Sequence, residues 1–307
     1  MKLALPAQVR VIERGWLSSN NILFHEGERA TLVDSGYVSH ARQTVELVRQ
    51  ALDGRQLQRI VNTHSHSDHI GGNAALQREF ACSITVPAGI AEAILAWDEE
   101  ALLLSPSGQR GDPFRHDATL LPGDEFELGG LVWRALHAPG HDMDALVFYC
   151  ESRRLLISGD ALWRDGFGIQ FAEIMGKAAG LAATKATLEA IGRLAVDFVI
   201  PGHGAPFAEF DDAMARAFKR VAAFEEDPLR MARNALKACF TFNLLELRRL
   251  RRDRLAEYLC GIAFFNDLNR RILRQSPEVL AEWLLTELMR ARVVELRDGD
   301  IVPTQAA

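Results

Sequence analysis

With 307 residues, 48% hydrophobic and 25% charged, the chain has the make-up of a soluble globular protein large enough to bury a full core, as one large domain or two smaller ones. Its formal charge of −6 argues against a nucleic-acid partner, since a phosphate backbone rewards a face rich in Lys and Arg. No segment offers the roughly 18 uninterrupted apolar residues of a membrane span, and the first residues lack a long apolar run with a cleavage site, so the reading is a cytoplasmic protein.

In chain order, "VRVIER", "NILFH" and "ATLVD" read as strands from their β-branched and apolar content between Gly, Asn and Ser punctuation. A helix follows over "HARQTVELVRQAL", with Ser39 as its expected N-cap and Val45, Leu47, Val48 and Leu52 as its apolar stripe. The short strand "RIVNT" then delivers "HSHSDHIGG", and "GGNAALQREFA" opens another helix. Later strands are "SITV", "DEFEL", "LVWRALH", "ALVFYC", "RLLISGD" and "DFVIPGH". Beyond about residue 210 the pattern turns almost wholly helical. Residues 1–209 hold 18 Lys and Arg against 26 Asp and Glu, and the remainder 17 against 15, so the expected division is 1–210 and 211–307. Four scattered cysteines, Cys82, Cys150, Cys239 and Cys260, form no C-x-x-C pair and read as small buried apolar residues in a reducing compartment.

Three histidines and an aspartate crowd into His64–His69, and further candidates stand at later strand ends: His141 in "PGH", Asp160 in "SGD" and His203 in "PGH". Glycine beside each lets the backbone turn sharply so that a side chain can point across a sheet edge. Together His64, His66, Asp68, His69, His141, Asp160 and His203 supply five imidazoles and two carboxylates, more than one tetrahedral zinc can use. Two metals about 3.5 to 4 Å apart, sharing a bridging carboxylate and a bridging hydroxide, would use all seven. Imidazole with carboxylate suits two zinc ions, with iron or manganese as rivals. His25, His40, His116 and His137 lack such a context and read as surface or strand histidines; His116 lies in a Gly/Pro-containing stretch that could run near the metals.

The series "ATLVDSG", "THSHSDHIGG", "PGHDMDA", "LLISGDALW" and "IPGHG", in that order, resembles the motif series of the metallo-β-lactamase superfamily over roughly residues 9 to 205. The resemblance implies a four-layer αββα sandwich of mixed α/β class, with metals at one edge of its paired sheets. Position by position, it implies that His64, His66 and His141 hold one metal, that Asp68, His69 and His203 hold the other, and that Asp160 bridges them. Asp34 would support the site without ligating. The expected activity is hydrolysis of an ester, thioester, lactone or phosphodiester in a small-molecule substrate by a metal-bridging hydroxide, with Asp68 both a ligand and the group that holds the attacking hydroxide.

Departures from subfamilies bear on the substrate. Asp160 stands where one large group of zinc β-lactamases has a cysteine, which argues against antibiotic hydrolysis. "DMDALVF" after His141 lacks the tyrosine that glyoxalase II enzymes place nearby, and "ALWRDGFGIQF" lacks the tyrosine expected of an acyl-homoserine lactonase. "GDALWRDGFGIQF" is similar to a stretch of persulfide dioxygenases, which use one iron, and that chemistry is the alternative enzyme reading. Trp163, Phe167 and Phe171 read as pocket wall or core.

In the C-terminal part, Ser276 before Pro277 marks a helix start, and "RVVELRDGDIVPT" reads as a hairpin turning at Asp298-Gly299. Helices followed by a two-stranded ribbon resemble a winged-helix module. Its expected role is to complete the pocket or to make a homodimer contact, with Phe240, Phe242, Phe264, Phe265 and Trp283 as a core of its own. The run "LRRLRRDR" (Arg248, Arg249, Arg251, Arg252, Arg254) reads as a solvated helix face; its alternative is an anion patch serving a regulatory or nucleic-acid-binding protein.

Overall fold

A computed structural model describes residues 5–177 and 179–304. Among these residues fourteen strands form three sheets. The first sheet runs in the order β1 (Val9–Ile12), β2 (Asn21–Glu26), β3 (Arg29–Val33), β4 (Gln56–Val61), β5 (Ser83–Pro87) and β6 (Ala118–Leu120), antiparallel through β3 and parallel from β3 onward. The second contains β7 (Glu125–Leu128), β8 (Leu131–His137), β9 (Leu146–Cys150), β10 (Leu155–Gly159) and β11 (Phe198–Pro201), in spatial order β11-β10-β9-β8-β7, with only β10 and β11 parallel.

The period-two alternation of each strand divides its side chains between layers. On β2, Ile22 and Phe24 enter the core between the sheets, whereas Leu23 faces a cluster under the helices Ala41–Leu52, Asn73–Phe80 and Ala91–Ala96. On β9, Leu146, Phe148 and Cys150 face inward, and Val147 and Tyr149 face the helix Gly180–Ile191 and the C-terminal helices. The result is helix, sheet, sheet, helix: the expected αββα architecture. No helix among the described residues is long and apolar enough to cross a membrane.

Several local expectations are corrected. Ser39 does not cap: a 3-10 turn over Val38–His40 runs directly into Ala41–Leu52, His40 is the N-cap without a side-chain bond, and the Ala41 amide donates to the Val38 carbonyl of that turn. Cys82, Cys150 and Cys239 are buried, but Cys260 is exposed. The arginine run is not a helix face. Arg248 takes φ +65 and ends the helix Pro228–Leu247, after which Leu250–Arg251 forms a short strand, β12, and Arg252–Arg254 a 3-10 turn. Arg249, Arg251, Arg252 and Arg254 each lie within 4.0 Å of a carboxylate, so most of the run is neutralised locally.

The hairpin forms as expected from β13 (Val294–Arg297) and β14 (Asp300–Pro303), with Asp298 at φ +51 and Gly299 at φ +84; β12 adds a third strand against β14. Ser276 caps Pro277–Arg290 by accepting from the Val279 amide at 3.3 Å. Ser276→Ala should therefore cost about 1 kcal/mol in chemical denaturation. The C-terminal aromatics do not build a separate core: Phe240, Phe264 and Phe265 share one cluster with Phe171, Ile174 and Leu188, and Phe242 packs edge-on to Tyr37.

Candidate metal centre

The carboxyl ends of β4, β10 and β11 and the loop after β8 meet at one edge of the sandwich, and each brings ligands. β4 ends at Val61, and two turns of chain later the short helix Ser67–Ile70 presents Asp68 and His69 from a backbone that has already placed His64 and His66. Glycine matters here in two ways. Gly140 and Gly159 take φ of +146 and +48, which turns the chain beside His141 and Asp160. Gly202 instead supplies space: a Cβ there would stand 2.2 Å from Asp160 Oδ1 and 2.9 Å from His69 Cε1.

All seven sequence-predicted residues converge. His64, His66 and His141 form one group, and Asp68, His69, Asp160 and His203 form another, the candidate ligand atoms of each lying within 4.8 Å of one another. Asp160 reaches both groups. Its Oδ2 is 3.4 Å from His141 Nε2 and 3.7 Å from His203 Nε2, and its Oδ1 is 3.4 Å from His69 Nε2. Asp68 Oδ2 lies 2.9 Å from His203 Nε2. The donor set fits metal ions on an independent observation: the buried Nε2 atoms of His64, His66 and His69 have no hydrogen-bond partner, a cost that protein interiors seldom carry without purpose.

In three of the five histidines the opposite ring nitrogen is held. His64 Nδ1 meets Thr63 Oγ1 at 3.0 Å, His141 Nδ1 donates to the Ile169 carbonyl at 2.6 Å, and His69 Nδ1 donates to Asp34 Oδ2 at 2.7 Å. Such contacts fix which nitrogen is free to ligate. Asp34, itself at φ +56, also accepts from the Thr63 amide at 2.9 Å and hydroxyl at 2.8 Å, and so organises the start of the histidine turn without entering either group. Asp34→Ala should lower metal affinity about 10- to 100-fold, read by chelator competition, with the fold retained in circular dichroism.

The electrostatics sort the imidazoles into two kinds. Burial, reinforced by neighbouring histidines, holds His64 well below the usual histidine range and His66 at about 4, so both are neutral. Burial also disfavours charge on His69, but Asp34, Asp68 and Asp160 outweigh it and hold that imidazole well above its ordinary value. For Asp160 burial works against the carboxylate, and His203 and His69 overcome it to keep the group well below the usual range.

Trp16 gave no recognisable signal in the sequence, whereas Trp163, Phe167 and Phe171 take the places expected of them as pocket wall or core. Trp16, 56% exposed, stacks on His203 with ring centroids 5.3 Å apart, and Trp163 meets both Trp16 and His203 edge-on. Trp163 also donates from Nε1 to Asp160 Oδ1 at 3.1 Å. Phe171 is buried beside His66 and His141, and Phe167 is core. Asp142 accepts from the Ser65 amide at 3.1 Å and hydroxyl at 2.8 Å, tying the histidine turn to the loop that carries His141. Its position inside "PGHDMDA" was visible in the sequence; its partner was not.

The other histidines are outside the centre. His25 contacts the Ala51 carbonyl, His40 the Ser18 hydroxyl and His137 the Met143 carbonyl, and His116 belongs to neither ligand group. The stretch containing His116 does reach the site by another residue: Ser67, between His66 and Asp68, hydrogen-bonds Gln109.

Comparison with known proteins agrees with this geometry. A hydroxyacylglutathione hydrolase of Methylococcus capsulatus is 33% identical over 129 residues, which cover 40% of this chain and 42% of that protein. A hydroxyacylglutathione hydrolase of Nitrobacter winogradskyi is 32% identical over 41% of this chain and 43% of its own length. The chain thus spans about two fifths of the length of the curated relatives it matches. Among solved structures, a metallo-beta-lactamase family protein from Thermus thermophilus superposes with a TM-score of 0.58 at 20% identity, covering 98% of this chain and all of that one. The model of the metallo-beta-lactamase superfamily matches residues 14–203, from just before Trp16 to the last histidine of the centre, and the chain belongs to that superfamily.

Proposed function

We propose that this protein is a dinuclear zinc hydrolase that cleaves an acyl bond in a small molecule, with a thioester as the first substrate class to test. The observation that carries the reading is Asp160, whose two oxygens lie against both ligand groups. The thioester preference rests on the curated relatives, which are hydroxyacylglutathione hydrolases. Against the identical substrate stands the missing tyrosine after His141, so the leaving thiol need not be glutathione.

His64, His66 and His141 would hold one zinc, Asp68, His69 and His203 the other, and Asp160 both. Bound zinc would supply a nucleophilic water at neutral pH and a Lewis acid for the acyl oxygen. Asp68, besides ligating, would accept a hydrogen bond from the attacking water and keep its lone pair directed at the carbonyl carbon. Trp16 and Trp163 would wall the side of the site next to His203, orienting the acyl group and limiting solvent access there. The winged-helix-like C-terminal part would shape the remaining side: Tyr37 and Arg110 bind Glu246 of the helix Pro228–Leu247, and Asn243 donates to the Ser107 carbonyl at 2.9 Å, which fixes the Gln109 stretch over Ser67.

The test is a panel of thioesters, esters, lactones and phosphodiesters assayed with metal analysis. Expected are close to two zinc ions per chain and thioester turnover that is lost on chelation and restored by zinc. Turnover that survives complete chelation would overturn the mechanism. One iron per chain with persulfide-dependent oxygen uptake would replace it by the dioxygenase reading.

A further inference from the structure

A second concave site lies away from the metal ligands, between the helices Phe210–Glu226, Pro228–Leu247 and Pro277–Arg290. It is a cleft of about 740 Å³. Its charge runs against that of a chain whose net is −6: seven Lys and Arg side chains line it against two carboxylates. Three of the cations are accounted for, since Arg216 pairs with Asp165 at 3.3 Å, and Lys237 and Arg290 both lie against Glu287. The other four, Lys219, Arg220, Arg230 and Arg233, have no carboxylate within 4.0 Å among the described residues. Asp227, the remaining acid, is spent on the Arg230 backbone amide, which it caps at 3.1 Å.

Two of the unpaired guanidiniums are held in place by aromatic rings instead of by counter-charges. Arg220 sits with its guanidinium carbon 5.2 Å from the Phe167 ring centre and 5.3 Å from that of Phe224, and Arg233 lies 5.6 Å from the Trp283 ring centre. Stacking on a ring uses the flat face of a guanidinium and leaves its in-plane N–H donors free. Burial, and then the charge of Arg230, make Arg220 easier to deprotonate than a free arginine. Gathering like charges in a partly desolvated cleft is unfavourable until an anion enters.

We propose that this cleft binds a small molecule bearing two or more phosphate groups. Its volume falls within the roughly 300 to 1,000 Å³ of small-molecule sites, and planar guanidiniums with free N–H edges match phosphate oxygens bidentately. An extended nucleic acid would need the positive field to continue beyond the cleft, whereas the arginine run at 249–254 is neutralised by its own carboxylates.

The proposal is tested by calorimetric titration of the metal-loaded protein with inorganic phosphate, fructose 1,6-bisphosphate and ATP, using fructose as the uncharged control. Saturable binding that is tighter for the bisphosphate or ATP than for phosphate, and absent for fructose, is expected. R230E/R233E should weaken it at least tenfold, and Lys219→Glu, on an exposed position of a different helix, should weaken it in the same direction. His66→Ala should leave it unchanged, which separates the cleft from chelation at the metal centre and makes the result independent of the proposed hydrolysis. No saturable binding of any probe overturns the proposal, as does binding lost in His66→Ala but retained in R230E/R233E. Tighter binding of a single-stranded oligonucleotide, lost in R230E/R233E, would overturn it in favour of a nucleic-acid surface.

Discussion

Asp160→Ala is expected to abolish measurable hydrolysis and to bring bound metal well below two ions per chain, because one side chain serves both ligand groups. Its oxygens stand 3.4 Å from His141 Nε2 and 3.4 Å from His69 Nε2, and among the described residues no other carboxylate lies within 4.0 Å of a ring nitrogen of His64, His66 or His141. On the proposed dinuclear reading, removing it leaves five imidazoles facing two cations with the charge of Asp68 alone to balance them. Loss of a catalytic metal forfeits several kcal/mol of transition-state stabilisation, and at about 1.4 kcal/mol per tenfold this is on the order of a 10³-fold fall in kcat/KM. Asp160→Asn preserves volume and should fail nearly as badly, which isolates charge from packing. Trp163→Phe removes only the indole donor to Oδ1 and should cost about 10-fold through the carboxylate's orientation, with metal content largely kept. Metal analysis beside kcat/KM decides the matter: two retained metals and near-normal turnover in Asp160→Asn would refute the bridging role.

The contrast between Asp160 and Trp163 also shows what the sequence could and could not reveal. The candidate ligands were legible because each stands at a fixed offset from an apolar strand and a glycine, and a strand end is a local feature. All seven meet at one sheet edge for that reason, and the αββα layering was legible through the same period-two alternation. Trp16 was not legible. It precedes β2 by a few residues and reaches His203, 187 positions later, only because the two sheets close on each other. Asp142 likewise acts on Ser65 across 77 positions, which no local pattern encodes. Helix propensity misled at "LRRLRRDR", where a left-handed residue at Arg248 and pairing of β12 with β14 overrode it. The cleft cations are spread over three helices, and no motif in the sequence groups them. Only packing set them side by side.

The second large effect is expected at Phe264, far from any ligand in sequence. Phe264 is fully buried, its ring 5.1 Å from Phe171 and 5.7 Å from Phe265, and Phe171 in turn lies 5.1 Å from the His66 ring and 5.7 Å from that of His141. Phe264→Ala opens a cavity in the cluster that joins the second sheet's outer layer to the C-terminal helices, and should cost about 3 to 5 kcal/mol. For a chain of this size that corresponds to a fall in Tm on the order of 8 °C. If the C-terminal part shapes the metal centre, a second consequence follows. Phe171 gains room to leave the two histidines, so kcat/KM measured well below the new Tm should fall further than the folded fraction explains, with metal affinity falling in parallel. Phe264→Leu, which refills most of the volume, should recover the larger share of both losses. A destabilised Phe264→Ala protein with unchanged kcat/KM and metal affinity per folded molecule would mean that the helices only cover the sheet. Parallel loss and recovery of stability and turnover would mean that the C-terminal helices and the metal centre are held by one continuous packing path through Phe171.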